Sequence, residues 1–213
     1  MKIAIIGAGN VGKALGRGWS RSGHQLLFGV RDVSKPDVVE ICAKLNATAS
    51  PPAEAAAAAE VVVLSLPWRN AEASIKALGS LAGKIVIDCT NPLAMIEGAL
   101  GLDRGFTTSG GEAVQSWLPQ ARVVKTLNQV GAEMMADNTS LPSRPVMFMA
   151  GNDAGAKTTT AGLLSDLGFE PLDAGDIGKA RLLEPFGMVW INQALLRGRG
   201  RNWAFGALVA RSS

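Results

Sequence analysis

The chain has 213 residues, of which 47% are hydrophobic and 18% charged, and its formal net charge is +3. This composition is typical of a globular protein with a sizeable core, and it excludes an intrinsically disordered chain. The small positive charge comes without a long basic run or aromatic–basic interleaving, which argues against a nucleic-acid-binding protein.

The first twelve residues predict a strand, a glycine-rich turn and the start of a helix. The branched apolar run 2–6 predicts a buried strand, and 10–22 a helix. Between them Gly7, Gly9 and Gly12 have the spacing G-x-G-x-x-G. The first glycine allows a tight turn, the second lets the backbone approach a pyrophosphate, and the third lets helix and strand pack closely. Together with the unpaired N–H groups of the helix start, the pattern predicts a dinucleotide-binding site.

Strands and helices alternate along the rest of the chain. Further strands are predicted near 47–48 and at 25–30, 61–66, 84–89, 122–126, 145–150 and 170–173. Helices are predicted at 36–45 with Ser34 as N-cap, and at 53–60, 70–81, 112–118, 131–136, 157–167 and 178–196, while 93–111 is predicted to be a long irregular loop. The alternation indicates an α/β fold, a Rossmann-type doubly wound, mostly parallel sheet with ligands at the carboxyl ends of its strands. We expect a dinucleotide-binding core over 1–127 and a small C-terminal α/β extension over 128–213, packed together as one compact unit.

The loop after the second strand indicates which nucleotide is bound. NAD sites usually have an acid about 20 residues beyond the glycines that binds the ribose 2′-OH. Here the strand ends at Val30, and Arg31 and Lys35 follow, which favours the 2′-phosphate of NADP. Asp32 is the competing candidate and would favour NAD, but we expect it to point away from the site. A merely solvated loop is the structural alternative.

The residue types that the sequence lacks restrict the class of reaction that the protein can catalyse. The chain has no tyrosine, and His24, its one histidine, precedes the second strand at the edge opposite the ligand. Reducing a ketone requires a positioned proton donor, and Lys125, Lys179 and scattered carboxylates are the remaining candidates. Both lysines have structural explanations, so no catalytic residue is assigned. A flavin or deazaflavin acceptor needs only two aligned rings, and the missing acid–base group favours such an acceptor.

Several stretches together resemble a known family. IIGAGNVGKAL, GHQLLFGVRD, VVVLSLPW, RVVKTLNQVGAEMM and GFEPLDAGDIGKARLLEP are similar to the F420-dependent NADP reductases and their bacterial relatives, and to the cytoplasmic domain of six-transmembrane ferric reductases. The resemblance implies NADPH along the strand ends, a deazaflavin (coenzyme F420) or flavin stacked on the nicotinamide, and a homodimer. Asn91, Pro92 and the segment 126–129 are closer to the bacterial relatives, which leaves a simple flavin, a quinone or another small acceptor open.

The resemblance also implies cofactor-binding residues, in addition to Gly7 and Gly12 of the turn. They are the phosphate loop (Ala8, Gly9, Asn10, Val11), the 2′-phosphate site (Arg31, Lys35), the loop beside the nicotinamide ribose (Leu66, Pro67) and the strand ends near the nicotinamide (Asn91, Pro92, Asn128). Val30 belongs to the same site, but the family often has Ser or Thr there, so one hydroxyl contact to the phosphate is absent.

The expected function is therefore an NADPH-dependent oxidoreductase, and two alternatives remain. A carbonyl or imine reductase, like pyrroline-carboxylate reductases or hydroxyacid dehydrogenases, usually has a longer all-helical second domain. Here only about 85 residues follow Asn128 and include a strand, and Leu183 stands where a hydroxyacid enzyme would have an asparagine after Lys179. A sensor that binds NADPH without turnover is the other alternative.

Cellular location and partners follow from weaker patterns. Cys42 and Cys89 lack metal-ligand spacing, so we expect free thiols, a reducing cytoplasm and no metal site. No signal peptide or membrane-spanning segment is expected, and the expected partner is a small redox acceptor. Arg197, Arg199 and Arg201 alternate with glycine, as in a solvated basic segment or a site for an acidic substrate tail.

Overall fold

The computed structural model describes residues 1–210, which form an α/β fold around an eight-stranded sheet. The strands are β1 Lys2–Ile6, β2 Gln25–Gly29, β3 Thr48–Ser50, β4 Val61–Leu64, β5 Ile85–Asp88, β6 Leu93–Ile96, β7 Ala99–Leu102, β8 Arg122–Lys125, β9 Val146–Gly151 and β10 Glu170–Gly175. The helices are α1 Asn10–Arg21, α2 Pro36–Leu45, α3 Pro52–Ala58, α4 Ala71–Lys76, α5 Gly110–Trp117, α6 Ala132–Ala136, α7 Ala154–Asp166 and α8 Ala180–Ile191.

The main sheet has the strand order β10-β9-β8-β5-β4-β1-β2-β3. Every neighbouring pair is parallel except β8 and β9, which are antiparallel. The prediction of a mostly parallel Rossmann-type sheet is confirmed. The carboxyl ends of β1, β2, β4, β5 and β8 therefore meet at one edge, which is where doubly wound sheets bind ligands.

Apolar residues cover both faces of the sheet, as parallel strands with helices on each side require. In β1, Ile3 and Ile5 belong to one core cluster, while Ala4 and Ile6 belong to the other. The first cluster also includes the fully buried Trp19 of α1, whose indole N–H donates to the carbonyl of a residue in α7. This packing holds α1 against the sheet, so the start of the helix stays at the carboxyl edge.

The prediction of a long irregular loop over 93–111 is wrong, because β6 and β7 form an antiparallel hairpin. Ile96 pairs with Ala99, so Glu97 and Gly98 form a two-residue turn with φ values of 50° and 81°. Two positive φ angles are what a type I′ hairpin turn needs.

Two predicted helices are interrupted. The first one consists of a 3₁₀ turn at Trp68–Asn70 and the short α4 rather than one helix over 70–81. The second one begins with a 3₁₀ turn at Ile177–Lys179 and ends in a π-helical turn at Asn192–Leu196. Gly79, with φ at 78°, lies within the first predicted span, and its left-handed conformation cannot continue a right-handed helix.

Candidate functional site

A cleft of about 960 Å³ lies along the carboxyl ends of β1, β2, β4 and β5. Most of the residues predicted to bind the cofactor line it. They are Gly7, Ala8, Gly9, Asn10, Val11, Val30, Arg31, Lys35, Leu66, Pro67 and Asn91. Gly12, Pro92 and Asn128 lie outside the lining, and each of these three is buried. Residues that are distant in the sequence therefore meet at one cleft, because their strands end at the same edge of the sheet.

The three glycines of the turn have different surroundings. Gly7 has φ at 104°, and a Cβ there would lie 2.7 Å from the carbonyl oxygen of Ser65. A Cβ at Gly12 would lie 2.1 Å from the carbonyl oxygen of Gly7. Gly9, by contrast, has no atom within 4 Å of the position of an added Cβ, and it is the N-cap of α1 without a side-chain cap. The start of α1 therefore faces open space, which fits a pyrophosphate bound by backbone N–H groups.

The loop after β2 brings two cations and a carboxylate to the cleft. Arg31 and Lys35 are exposed and line it. Asp32, which we expect to point away, belongs to the lining as well. Its Oδ1 accepts hydrogen bonds from the hydroxyl of Ser34 at 2.6 Å and from the Ser34 backbone N–H at 2.9 Å, and these bonds lower the pKa of Asp32. The predicted N-cap role of Ser34 is wrong, since its hydroxyl is used here and Lys35 is the N-cap of α2.

Asp37 organises the cations beside this loop. Its Oδ2 accepts from the ammonium of Lys13 at 2.7 Å, and the Lys35 ammonium lies 3.4 Å from Oδ1. The hydrogen bond from Lys13 is the largest cause that lowers the pKa of Asp37. Lys13 is therefore committed to this carboxylate, whereas Lys35 contacts it only at the longer distance and remains largely exposed. Lys35 can reach an additional anion.

Asn128 supports the cleft from behind. Its side-chain amide donates to Asn91 Oδ1 at 3.0 Å and to the Leu183 carbonyl at 3.1 Å, and the Asn91 amide donates to the Asn128 carbonyl at 2.9 Å. Leu127, just before it, has φ at 57°, a left-handed conformation that is uncommon for residues other than glycine. The backbone thus turns sharply after β8 and pairs Asn128 with Asn91, which does line the cleft.

A buried ion cluster lies below the same edge. Lys125, Asp88 and Glu184 are exposed by 1% or less. The Lys125 ammonium lies 3.0 Å from Asp88 Oδ2 and 3.1 Å from Glu184 Oε1, and it also donates to the carbonyl of Thr90, a lining residue. Burial alone would lower the pKa of Lys125, but the two carboxylates outweigh it and raise the pKa above its usual value. Lys125 is therefore a charged structural group and does not fit the role of a proton donor.

Glu184 connects this ion cluster to a helix start. Its two carboxylate oxygens accept from the backbone N–H groups of Gly110 and Gly111, each at 2.9 Å. These glycines begin α5, where unpaired N–H groups and the helix dipole favour a negative charge. The cluster thus joins β5, β8, α5 and α8 behind the cleft.

Sequence reasoning missed several residues of the cleft. They are Asp37, Val38, Ser65, Arg69, Cys89, Leu93 and Arg201. Trp68 and Thr90, which also line the cleft, lie in the strand-end segments 66–68 and 90–92 that the sequence indicated. Ser65 and Cys89 directly follow β4 and β5, so the strand-end rule could have found them, whereas Asp37 and Val38 lie in α2 and Leu93 begins β6. Cys89 is buried, and burial raises the pKa of its thiol. Arg201 follows no strand, and its only signal was the alternation of arginine with glycine.

Within residues 1–210 no group of three or more His, Cys, Asp or Glu residues is arranged to hold a metal ion. No helix there has both the length and the apolar character needed to cross a membrane.

Comparisons with known proteins agree with this geometry. The family described as "NADP oxidoreductase coenzyme F420-dependent" matches residues 2–92. A crystal structure from Arthrobacter sp. FB24, described as a candidate F420-dependent NADP-reductase, is 34% identical with a TM-score of 0.88, covering 99% of this chain and 100% of that one.

Two more distant proteins are also similar to this chain, one in sequence and one in structure. The rat metalloreductase STEAP3 is 26% identical over 189 residues, which are 86% of this chain and 36% of that protein, so the chain spans about a third of that relative. A reductive aminase from Aspergillus terreus is 19% identical with a TM-score of 0.67, covering 92% of this chain and 63% of the other. At this level of identity the aminase shares the fold alone.

Proposed function

Because the chain belongs to the family of coenzyme F420-dependent NADP oxidoreductases, we propose that it binds NADP(H) in the cleft and transfers hydride between the nicotinamide and a flavin-like or deazaflavin (F420) acceptor. The open space at Gly9 carries the proposal. It leaves the uncapped start of α1 accessible to a pyrophosphate, while Gly7 and Gly12 are needed by the packing of the turn itself.

Arg31 and Lys35 support NADP rather than NAD. Both are exposed cations of the cleft at the loop after β2, where a dinucleotide places its adenosine ribose. An arginine and a lysine give charge-assisted hydrogen bonds to a 2′-phosphate. Asp32 would instead accept from a 2′-OH, and since its Oδ1 accepts two hydrogen bonds from Ser34, it would do so through Oδ2.

The opposite end of the cleft supports an acceptor that needs little acid–base help. The described lining residues after β4 and β5 include no carboxylate, imidazole or phenol. Burial keeps the thiol of Cys89 neutral, and the ammonium of Lys125 is engaged in its ion pairs with Asp88 and Glu184. When bound, NADPH supplies a hydride, and a flavin-like ring takes its own proton from water. The role left to the chain is to bind and align two rings and to hold Asn91 in place through Asn128.

The test is NADPH oxidation, followed by absorbance, with F420, FMN, FAD and ferric chelates as acceptors. We expect turnover with at least one flavin-like acceptor, and slower turnover when NADH replaces NADPH. Tight NADPH binding without oxidation by any of them would contradict the proposal and favour a sensor. Turnover of cyclic imines alone would favour the reductase alternative.

We also propose a cytoplasmic homodimer. Leu182 and Val189 of α8 and Met95 of the hairpin are large apolar residues that are more than half exposed. The helix α8 contacts β7, the partner strand of β6, and exposed apolar residues on adjacent elements are a feature of protein–protein interfaces. Sedimentation at micromolar concentration should give the mass of a dimer, and a monomer would contradict this part of the proposal.

A further inference from the structure

Arg201 is a cation of the cleft with free hydrogen-bonding capacity. It is half-buried and lines the cleft, and its Nε donates to Glu133 Oε1 at 2.8 Å. Among the described residues, its two terminal amino groups have no hydrogen-bond partner. The guanidinium thus holds Glu133 through one N–H instead of through the two-pronged geometry that arginine forms with a carboxylate. Several donors remain for another anion.

The segment that carries Arg201 is built to hold it. Gly198 and Gly200 have φ values of 71° and 78°, which turn the backbone on both sides of Arg199. The Trp203 indole donates to the Gly200 carbonyl at 3.1 Å, and the Trp190 indole donates to the Trp203 carbonyl at 3.0 Å. The two indole rings stack with centroids 5.7 Å apart, and the Arg199 guanidinium lies 4.8 Å from the Trp203 ring centroid. Such a held arginine loses less freedom on binding than one in a solvated tail.

The phosphates of the proposed cofactor already have partners. The start of α1 takes the pyrophosphate, and Arg31 and Lys35 take the 2′-phosphate. Glu133, which holds Arg201, lies in the first turn of α6, and α6 packs against α1. Arg201 is therefore tied to α6 and not to the loop after β2, and neither of the two phosphate sites proposed for the cofactor includes it.

We infer that Arg201 binds a phosphate group on the side chain of the redox acceptor. Arginine matches phosphate geometry through paired, charge-assisted hydrogen bonds. The inference rests on the proposed function, because it names a feature of the acceptor that the same cleft would bind. The acceptor class is thereby narrowed to flavin-like rings with a phosphorylated side chain. The competing source of a phosphate is the cofactor's own pyrophosphate.

FMN and riboflavin test this inference, because they share a ring and differ by one phosphate. The dissociation constant of each is measured from flavin fluorescence with the NADP⁺-loaded protein, and that of NADP⁺ is measured separately. Arg201→Gln should weaken FMN binding by about 10-fold or more and change riboflavin binding by less than about 2-fold. Arg201→Lys should recover part of the FMN affinity. The matched control is Arg197→Gln, since Arg197 is exposed in the same segment and should leave all three constants unchanged.

Each contrary outcome has a distinct meaning. If Arg201→Gln weakens FMN and riboflavin equally or not at all, the inference is wrong, while binding of the rings still supports the proposed function. If the variant weakens NADP⁺ and leaves FMN unchanged, Arg201 serves the cofactor and the inference is overturned. If the wild-type protein binds neither ring, the inference fails, whereas the proposed function is decided separately by the turnover assay with F420.

Discussion

Gly9 and Gly12 belong to the same turn, but a methyl group added to each would meet different surroundings. At Gly9 the methyl would enter open space, so Gly9→Ala should keep the thermal stability of the protein and weaken NADPH binding by about 10-fold, or about 1.4 kcal/mol. At Gly12 the methyl would overlap the Gly7 carbonyl, so Gly12→Ala should cost about 1–3 kcal/mol of stability. Thermal unfolding and NADPH titration of both variants check this pair. Equal loss of stability in both variants would contradict the conclusion that the space around Gly9 is open.

Arg31 is expected to distinguish the two nucleotides. Arg31→Ala should raise the KM for NADPH by about 10-fold and leave the KM for NADH nearly unchanged, because only NADPH has the 2′-phosphate. The control is Arg17→Ala on the exposed face of α1, which removes the same charge outside the cleft. Equal effects of Arg31→Ala on both nucleotides would contradict the assignment of Arg31.

Single residues were predictable where a motif ties residue type to backbone geometry. Gly7 and Gly12 are examples, since the tight turn and the close packing exclude side chains there. The support of Asn91 by Asn128 was not predictable, because it depends on the left-handed backbone at Leu127. The N-cap of α2 was wrongly predicted because the hydroxyl of Ser34 donates to Asp32 instead, and Lys35 is the N-cap.

The elements behind the cleft depend on the buried ion cluster. Lys125→Met would leave Asp88 and Glu184 buried without their counter-ion, which should cost about 3–5 kcal/mol of unfolding free energy. Lys76→Met is the control, since the ion pair of Lys76 with Glu72 is exposed and should change stability by less than about 1 kcal/mol. Urea denaturation measures both variants. A loss at Lys125 no larger than at Lys76 would contradict the structural role of the cluster.

A second link between elements should depend on pH. Arg181 of α8 donates from Nε to Glu112 Oε2 at 2.9 Å and from a terminal amino group to Oε1 at 2.6 Å, joining α8 to α5. The hydrogen bond from Arg181 is the largest cause that lowers the pKa of Glu112 below its ordinary 4.5. A lowered folded-state pKa stabilises the protein above the unfolded pKa, and this contribution is lost as the pH falls through the folded value.

The Glu112→Gln variant checks this linkage. Its Tm should lie below that of the wild type at pH 7, and the gap should narrow as the pH falls from about 4.5, where the unfolded chain starts to take up the proton, through the lower folded-state pKa of Glu112. A gap that stays constant down to pH 3 would show that the carboxylate charge at Glu112 contributes nothing.

The hydrophobic pattern predicted that most helices and strands exist, but it predicted their first and last residues less well. The buried runs in β1, β4, β5 and β8 are short, apolar and branched, which favours strands. The hairpin of β6 and β7 was missed because its turn is Glu97-Gly98 and not the Asn-Gly or Asp-Gly pair that marks such turns.

At the scale of the whole molecule, NADPH should stabilise the fold. A ligand that binds only the folded state at 100 times its dissociation constant adds about 2.7 kcal/mol. We expect the Tm to rise with NADPH and to rise less with the same concentration of NADH. Differential scanning fluorimetry measures both, and equal shifts would argue against preference for NADP.

The architecture was predictable from alternation, whereas the direction of β9 was not. A strand run looks the same in either direction, and only the pairing with β8 decides it. The division at residue 127 remains a prediction, while β9 and β10 continue the same sheet beside β8.

The residues that line the cleft are synthesised in two separate stages. Every described lining residue lies within 7–93 except Arg201. Since a protein emerges from the ribosome from its N-terminus onward, the groups proposed for the nucleotide leave the exit tunnel well before Arg201 does. A nascent chain therefore acquires its proposed nucleotide-binding groups during synthesis, while the arginine inferred to select the acceptor arrives more than a hundred residues later.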